Sequence, residues 1–302
     1  MSKEKPTRYN CIEELVELGV NWLAVCPFAF MESGETYVRY NTPDNWYGDQ
    51  KIGLVKQIVQ AKEKGLKVLI KPHFWVKGEG WPGDFNPGEK KWVEWETNYT
   101  NYLIYLAKIG DSLGVEMLCL GTEFKNSTNR RPNYWRSLIS KVRKEFSGEL
   151  TYAANWDNYN NILFWDQLDY IAIDAYFPLK NKVLPSSEEL EKAWGKHNSS
   201  MKSISTRYKK KVIFTEYGYR STDTTAYQQW LIEGRIKDEK VNLLAQTNAY
   251  QGLFNAVWNE DWFAGGFLWK WYCEPEAGGL KNSDYTPQGK PVLELIEKIY
   301  HP

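Results

Sequence analysis

Histidine is scarce in this chain of 302 residues, where only His73, His197 and His301 occur. They form no HExxH pair, and no G-x-S-x-G elbow accompanies them. Zinc-dependent hydrolysis and Ser-His-Asp catalysis therefore lack their parts. Cysteine is equally sparse. Cys11, Cys26, Cys119 and Cys273 show no CxxC pairing and no metal-ligand spacing, so neither a metal centre nor a disulfide framework is expected. Cys119 sits among apolar residues in a strand-like run and reads as a small buried hydrophobe. An excess of one charge is also missing. The 38 basic residues balance 38 acidic ones, with no long basic run, so nucleic acid and membrane are not expected partners. Met1 to Asn10 is polar, without an apolar stretch for a signal peptide or membrane span, so the chain as written is expected to stay in the cytoplasm. Gly78-Glu79-Gly80-Trp81-Pro82-Gly83 spells GxGxxG, but it lies beyond its strand, contains Pro and Trp and opens no helix. That excludes a phosphate cradle. The segment reads as a flexible loop over a site.

What the chain has in excess is aromatic surface. Fifteen Trp and twenty Tyr exceed the needs of one core, and both residue types favour places where an apolar face meets a polar rim. Sugars offer that mixture of C–H faces and hydroxyls. Strand-like runs lie near 20–26, 67–72, 115–121, 149–154, 169–174, 211–215 and 264–269, and helical patterns near 10–18, 51–64, 90–113, 132–146, 187–207, 241–259 and 289–300. In the third helix Trp95, Tyr99, Tyr102, Leu103, Leu106, Ile109 and Leu113 return at three- and four-residue steps, giving one apolar face. The strand runs are nearly all apolar rather than alternating, as parallel strands buried on both faces are. Helix-to-strand links are tight, while the strand-to-helix links 27–50, 73–89, 220–240 and 272–289 are long and aromatic. Elaboration on one face only predicts a TIM-type (β/α)8 barrel filling a single domain, 1–302, with its site at the C-terminal mouth.

Two glutamates close apolar runs at that mouth. Glu123 follows Leu118-Cys119-Leu120-Gly121-Thr122, and Glu216 follows Val212-Ile213-Phe214-Thr215. A pair of carboxylates is the minimum equipment for cleaving a glycosidic bond. An acid among them needs a raised pKa, on the order of 6 in the known pattern. Tyr176, one strand before Glu216, is placed to donate a hydrogen bond to it. Other strand-end candidates are His73, Trp75, Asn155, Trp156 and Trp269, with Trp81 on the glycine-rich loop. Trp81, Trp156 and Trp269 are the first candidates for sugar platforms. No metal or organic cofactor is expected.

Six segments go further together than any does alone. They are Ile70-Lys71-Pro72-His73, Leu120-Gly121-Thr122-Glu123-Phe124, Tyr152-Ala153-Ala154-Asn155-Trp156, Asp174-Ala175-Tyr176-Phe177-Pro178-Leu179, Phe214-Thr215-Glu216-Tyr217-Gly218-Tyr219 and Asp284-Tyr285-Thr286-Pro287-Gln288-Gly289-Lys290-Pro291. In order and placement this set resembles glycoside hydrolase family 113, a clan A family of β-mannanases. The resemblance implies an acid/base at the end of the fourth barrel strand, matched by Glu123, and a nucleophile at the end of the seventh, matched by Glu216. Most of the clan has Asn before the acid/base, where this chain has Thr122. A retaining endo-β-1,4-mannanase acting on β-mannan or manno-oligosaccharides is the reading implied. An exo-acting β-mannosidase, another β-glycanase and a barrel that binds sugar without cleaving it stay open beside it. Counting back from Glu123 and Glu216 makes the run at 20–26 the second strand. Residues 1–9 are too polar to supply the first, and Pro6 suits no central strand. The expectation is a barrel lacking its first strand, from a chain that begins late and so hides its native compartment. Such a barrel is expected to be a monomer, or a weak oligomer covering the open edge.

Overall fold

Strand and helix alternate along the chain as the apolar pattern requires. A computed structural model describes residues 11–230, 240–274 and 276–301. In order these give α1 (Ile12–Glu17), β1 (Trp22–Val25), β2 (Phe28–Glu32), α2 (Lys51–Glu63), β3 (Lys67–Ile70), β4 (His73–Lys77), α3 (Trp92–Ser112), β5 (Met117–Thr122), α4 (Lys125–Arg130), α5 (Pro132–Val142), β6 (Glu149–Asn155), β7 (Ile171–Asp174), α6 (Ser187–Tyr208), β8 (Val212–Tyr217), α7 (Leu243–Val257), β9 (Phe263–Leu268) and α8 (Val292–Tyr300). Seven of the strands take the order β1-β3-β5-β6-β7-β8-β9 in one sheet. The pairs β1–β3, β3–β5, β5–β6 and β8–β9 run parallel. Spatial order follows chain order with no reversal. A doubly wound sheet reverses at its switch point, so this is the progression of a TIM-type α/β barrel. Seven strands were expected in the sheet, and seven are present among the described residues. The segment held responsible for the missing first strand, 1–9, lies outside them.

Contacts gather into two units, one of residues 21–172 and the other of 11–20 with 173 onward. In the first, the apolar face expected of α3 is sealed at Trp95, Tyr99, Tyr102, Leu103 and Leu106. Trp95 stacks on Tyr99 at 5.0 Å and meets Phe74, Phe85 and Phe124 at 5.0 to 6.0 Å. In the second, α6 opens on a capping box. Glu189 N–H donates to Ser186 Oγ at 3.3 Å, and Ser186 N–H donates to Glu189 Oε2 at 3.0 Å. His197 lies between Phe177 and Trp194, with centroids at 4.5 and 5.8 Å. Burial lowers its pKa to about 4, so it is a neutral core histidine. Trp92, Trp95, Trp135, Trp165 and Trp194 are almost completely buried. A third of the tryptophan thus builds core rather than a sugar surface.

Two expectations need correction. The links 27–50 and 73–89 are not loops throughout, because each opens with a strand. β2 and β4 form a separate two-stranded parallel sheet, with Phe28 opposite His73 and Glu32 opposite Lys77. Alternation of buried and open residues along Phe28–Glu32 and His73–Lys77 is what a half-covered strand needs. The second correction concerns cysteine. Cys11 and Cys273 are joined by a disulfide with Cα atoms 5.1 Å apart, across 262 residues of sequence. Spacing in sequence carries no information about a pair that only the fold brings together. Cys119 is buried, as expected. No helix among the described residues is long and apolar enough to cross a membrane.

One half-buried carboxyl makes stability depend on pH. Asp49 Oδ1 accepts the Phe28 N–H at 3.0 Å, and burial raises its pKa from 3.8 to about 6 against that hydrogen bond. Between those values the folded chain holds a proton that the unfolded chain has lost. Stability therefore falls as pH rises through this window and levels off above about 6. Asp49→Asn keeps an acceptor for Phe28 and removes the charge. Its Tm is expected to exceed that of the wild type by a few degrees at pH 7.5 and to converge with it near pH 4. Thermal melts across that range check it, and a gap that does not depend on pH would disprove the assignment.

Candidate active site

The apolar sequence of β5 places Glu123 by burying everything before it. All six residues of β5 are covered, and Tyr99 OH donates to Leu120 O at 3.1 Å. Thr122 Oγ donates to Pro72 O at 3.0 Å, so the end of β5 is fastened to the junction of β3 and β4. That use of the Thr122 hydroxyl is structural. Glu123 N–H then donates to Ala153 O of β6 at 2.8 Å, and the backbone turns with φ +59°. A left-handed backbone is uncommon for a residue with a long side chain. Here the turn lets Phe124 enter the core while the half-buried Glu123 side chain stays outside it.

Trp81 donates its indole N–H to Glu123 Oε2 in a short hydrogen bond. Its ring lies over Gly83, where a Cβ would collide with it. The glycine-rich loop therefore does bend over a site, but its tryptophan meets the carboxylate edge-on through N–H. Asn126 Nδ2 donates to Asp84 O at 3.0 Å and ties α4 to the same loop. His73 opens β4, with its Nε2 3.3 Å from the Nζ of the fully buried Lys71. Burial and then the Lys71 charge push the His73 pKa well below its ordinary value. The ring is neutral, and its contact with the lysine ammonium holds it in place at the start of β4. Asn155 ends β6 and gives its Nδ2 to Asp157 Oδ1 at 3.0 Å, while Lys125 holds the other Asp157 oxygen at 2.6 Å. Trp156 follows half-buried, and Trp75 stands exposed on β4.

In the second unit β8 is also fully covered, and Glu216 is only 7 % exposed. Its carbonyl accepts from Ala175 N–H at 2.7 Å. Tyr176 OH donates to Glu216 Oε2 at 2.7 Å, the hydrogen bond expected from the sequence. Burial, then the Glu216 carboxylate, raises the Tyr176 pKa well above 10, so the phenol keeps its proton and remains a donor. Asp174 ends β7 fully buried and accepts from Thr215 Oγ at 2.8 Å. Trp269 follows β9, donating its backbone N–H to Tyr217 O at 2.8 Å. Gly218 makes this approach possible, since a Cβ there would collide with the Trp269 carbonyl. Lys270 lies 5.9 Å from the Trp269 ring centroid and 3.5 Å from Asp284. The segment 284–291 serves as scaffold. Lys290 Nζ holds Asp284 O at 2.6 Å and Ser221 Oγ at 3.0 Å, and Gln288 exchanges hydrogen bonds of 2.9 Å with the Tyr272 backbone.

Sequence reasoning missed Lys71, because lysine is almost never fully buried, and missed Arg220, which is buried just past β8. Their places next to candidate residues, in Lys71-Pro72-His73 and Glu216-Tyr217-Gly218-Tyr219-Arg220, were the available signal. Among the described residues no group of His, Cys, Asp or Glu could hold a metal ion.

Known structures share this framework. One described as a complex of a GH113 β-1,4-mannanase is 27 % identical, with a TM-score of 0.82, over 96 % of this chain and 90 % of that one. The GH113 β-mannanase of Alicyclobacillus acidocaldarius in complex with ManMIm matches in fold, with a TM-score of 0.84 at 24 % identity, over 96 % of this chain and 90 % of that one. A fungal β-1,4-galactanase is more distant in fold, with a TM-score of 0.61 at 16 % identity, over 94 % of this chain and 89 % of that one. No curated protein matches. The family model for Glycoside Hydrolase Family 113 matches residues 3–290, nearly the whole chain. With two strand-end glutamates held by a tryptophan and a tyrosine, the chain belongs to Glycoside Hydrolase Family 113 and is a glycoside hydrolase.

Proposed function

We propose that this chain is a retaining endo-β-1,4-mannanase that cleaves β-mannan and glucomannan by double displacement, and that residues 1–302 act as one catalytic domain. The observation that carries the reading is the buried Glu216 carboxylate, held by the protonated Tyr176 at 2.7 Å at the end of a strand. The hydrogen bond from Tyr176 orients this carboxylate for attack on the anomeric carbon. The β-1,4-mannanase activity named for a structural neighbour at 27 % identity supports the choice of sugar.

Glu216 attacks the anomeric carbon while Glu123 gives its proton to the leaving glycosidic oxygen, so the C–O bond breaks as the glycosyl-enzyme ester forms. Water then enters, Glu123 takes its proton, and the ester to Glu216 breaks to release the sugar with its configuration retained. Trp81 holds Glu123 Oε2 and so orients the carboxyl toward the leaving oxygen. His73, at the start of β4, contributes to binding the sugar. Trp156 and Trp269 supply ring faces, and Asn155 a side-chain oxygen, for the sugars on either side of the bond.

The test has two readouts. Reducing ends released from mannan, glucomannan, xylan and cellulose are expected from the first two, with viscosity falling early, as cleavage within chains requires. Proton NMR of the first product is expected to show the β-anomer before mutarotation. Release from xylan or cellulose alone would overturn the sugar, a first-formed α-anomer the retaining mechanism, and loss of terminal mannose at constant viscosity the endo mode.

A further inference from the structure

The two-stranded sheet that the sequence concealed has one sealed face and one partly exposed face. Ala29, Met31, Phe74 and Val76 point into the core. The register sets Phe28 beside His73, Phe30 beside Trp75 and Glu32 beside Lys77 on the other face. Phe28 stacks near His73 at 5.0 Å and lies 6.2 Å from Phe30, with planes 30° and 23° apart. Trp75 is 44 % exposed, although it lies in a strand whose alternate residues are sealed. Four rings thus form a two-by-two array. At its outer end Glu32 pairs with Arg39 at 3.4 Å and with Lys77 at 3.5 Å. These charges are of both signs and exposed, a rim of donors and acceptors around an apolar floor.

Position ties this array to the catalytic glutamate. Pro72 O accepts from Thr122 Oγ, and the next residues of the two strands are His73 and Glu123. Five residues of strand then carry the array about 13 Å outward. Past its outer end the chain returns, and four residues after Lys77 the Trp81 indole reaches Glu123. Four residues span at most about 14 Å, so the whole array stays within reach of the acid/base. The outer turn is pinned as well, with Ser33 Oγ donating to Glu79 Oε1 at 2.8 Å.

We propose that the partly exposed face of the β2–β4 ribbon, floored by Phe28, Phe30, His73 and Trp75 and rimmed by Glu32, Arg39 and Lys77, binds mannosyl units of the β-1,4-linked chain beyond those at the cleaved bond. The proposal rests on the mannanase reading and adds where the polymer lies. Flat rings spaced along a strand suit the C–H faces of successive sugars, and a rim of mixed sign suits hydroxyls better than it suits any highly charged ligand. The ribbon is longer than one sugar ring, so its contribution grows with the length of the substrate.

The test compares substrates of different length on the full chain. Trp75→Ala and Phe30→Ala are each expected to lower the ratio of kcat/KM for mannohexaose to that for mannotriose by roughly tenfold, equivalent to about 1.4 kcal/mol. Trp75→Phe keeps a ring and is expected to recover most of that ratio. Because Trp75 is already exposed, Trp75→Ala is not expected to lower Tm. Wild-type chain that leaves mannan intact would overturn the mannanase reading and this proposal together. Active wild type with an unchanged ratio in both alanine variants would overturn this proposal alone. So would a shift from dimer to monomer in Trp75→Ala at an unchanged ratio, which would make the ribbon a contact between copies.

Discussion

Glu216→Gln is expected to lower kcat on mannan by roughly 10⁴-fold or more, beyond the 10²–10⁴-fold that general acid assistance alone supplies. The substitution preserves shape and the hydrogen bond from Tyr176, so Tm should change little and the loss is chemical. Glu123→Gln separates the two glutamates by the leaving group. With mannan the acid is needed and turnover falls by about 10²–10⁴-fold. With an aryl mannoside whose phenol leaves without a proton, the first step survives, and the glycosyl-enzyme accumulates as a burst. Tyr176→Phe removes one donor to a carboxylate, worth about 1.5–3 kcal/mol, and is expected to cost tens of fold in kcat at unchanged fold. Near-native turnover of either glutamine variant on mannan would remove that glutamate from the mechanism. A burst in Glu216→Gln instead of Glu123→Gln would exchange their roles.

Trp95→Ala is expected to be the most damaging change outside the two strand-end glutamates. Trp95 is fully buried where α3 meets the rings of Phe74, Phe85, Tyr99 and Phe124. Emptying such a site costs about 3–5 kcal/mol, because neighbours close only part of the cavity. Phe124 follows Glu123 directly and Phe74 lies on β4. Loosening this cluster should therefore also lower kcat in the fraction that folds. Denaturant unfolding measures the first effect and kcat per folded molecule the second. A loss below about 1 kcal/mol would show that the ring cluster is not the keystone of its unit.

The sheet was legible because its strands are buried on both sides. Val212–Phe214 and Leu118–Leu120 are apolar without interruption and a glutamate closes each run a few residues on, so both the strands and their glutamates stood out. β2 and β4 were hidden by position. Each follows a sheet strand after only two intervening residues, Cys26-Pro27 and Lys71-Pro72, and a proline there suggests a loop. The alternation in His73-Phe74-Trp75-Val76-Lys77 was available as a strand signal, and the aromatic count drew attention away from it. Tyr176 could be paired with Glu216 because both stand at neighbouring strand ends. Nothing in the sequence pairs Trp81 with Glu123, since 42 residues separate them and a loop decides the meeting. The wide pairing of Cys11 with Cys273 was out of reach for the same reason.

The left-handed backbone at Glu123 bears on how such a chain changes over generations. Glycine and asparagine occupy φ near +59° more easily than glutamate does. Replacement by either would relax the turn, at the cost of the acceptor that the Trp81 indole uses. Under the proposed mechanism, selection on hydrolysis is what keeps glutamate there. A lineage that no longer needs to cut polysaccharide should lose the acid early while retaining its barrel and its aromatic ribbon. Relatives carrying Gly or Asn in that place are then candidates for descendants that hold sugars without cleaving them.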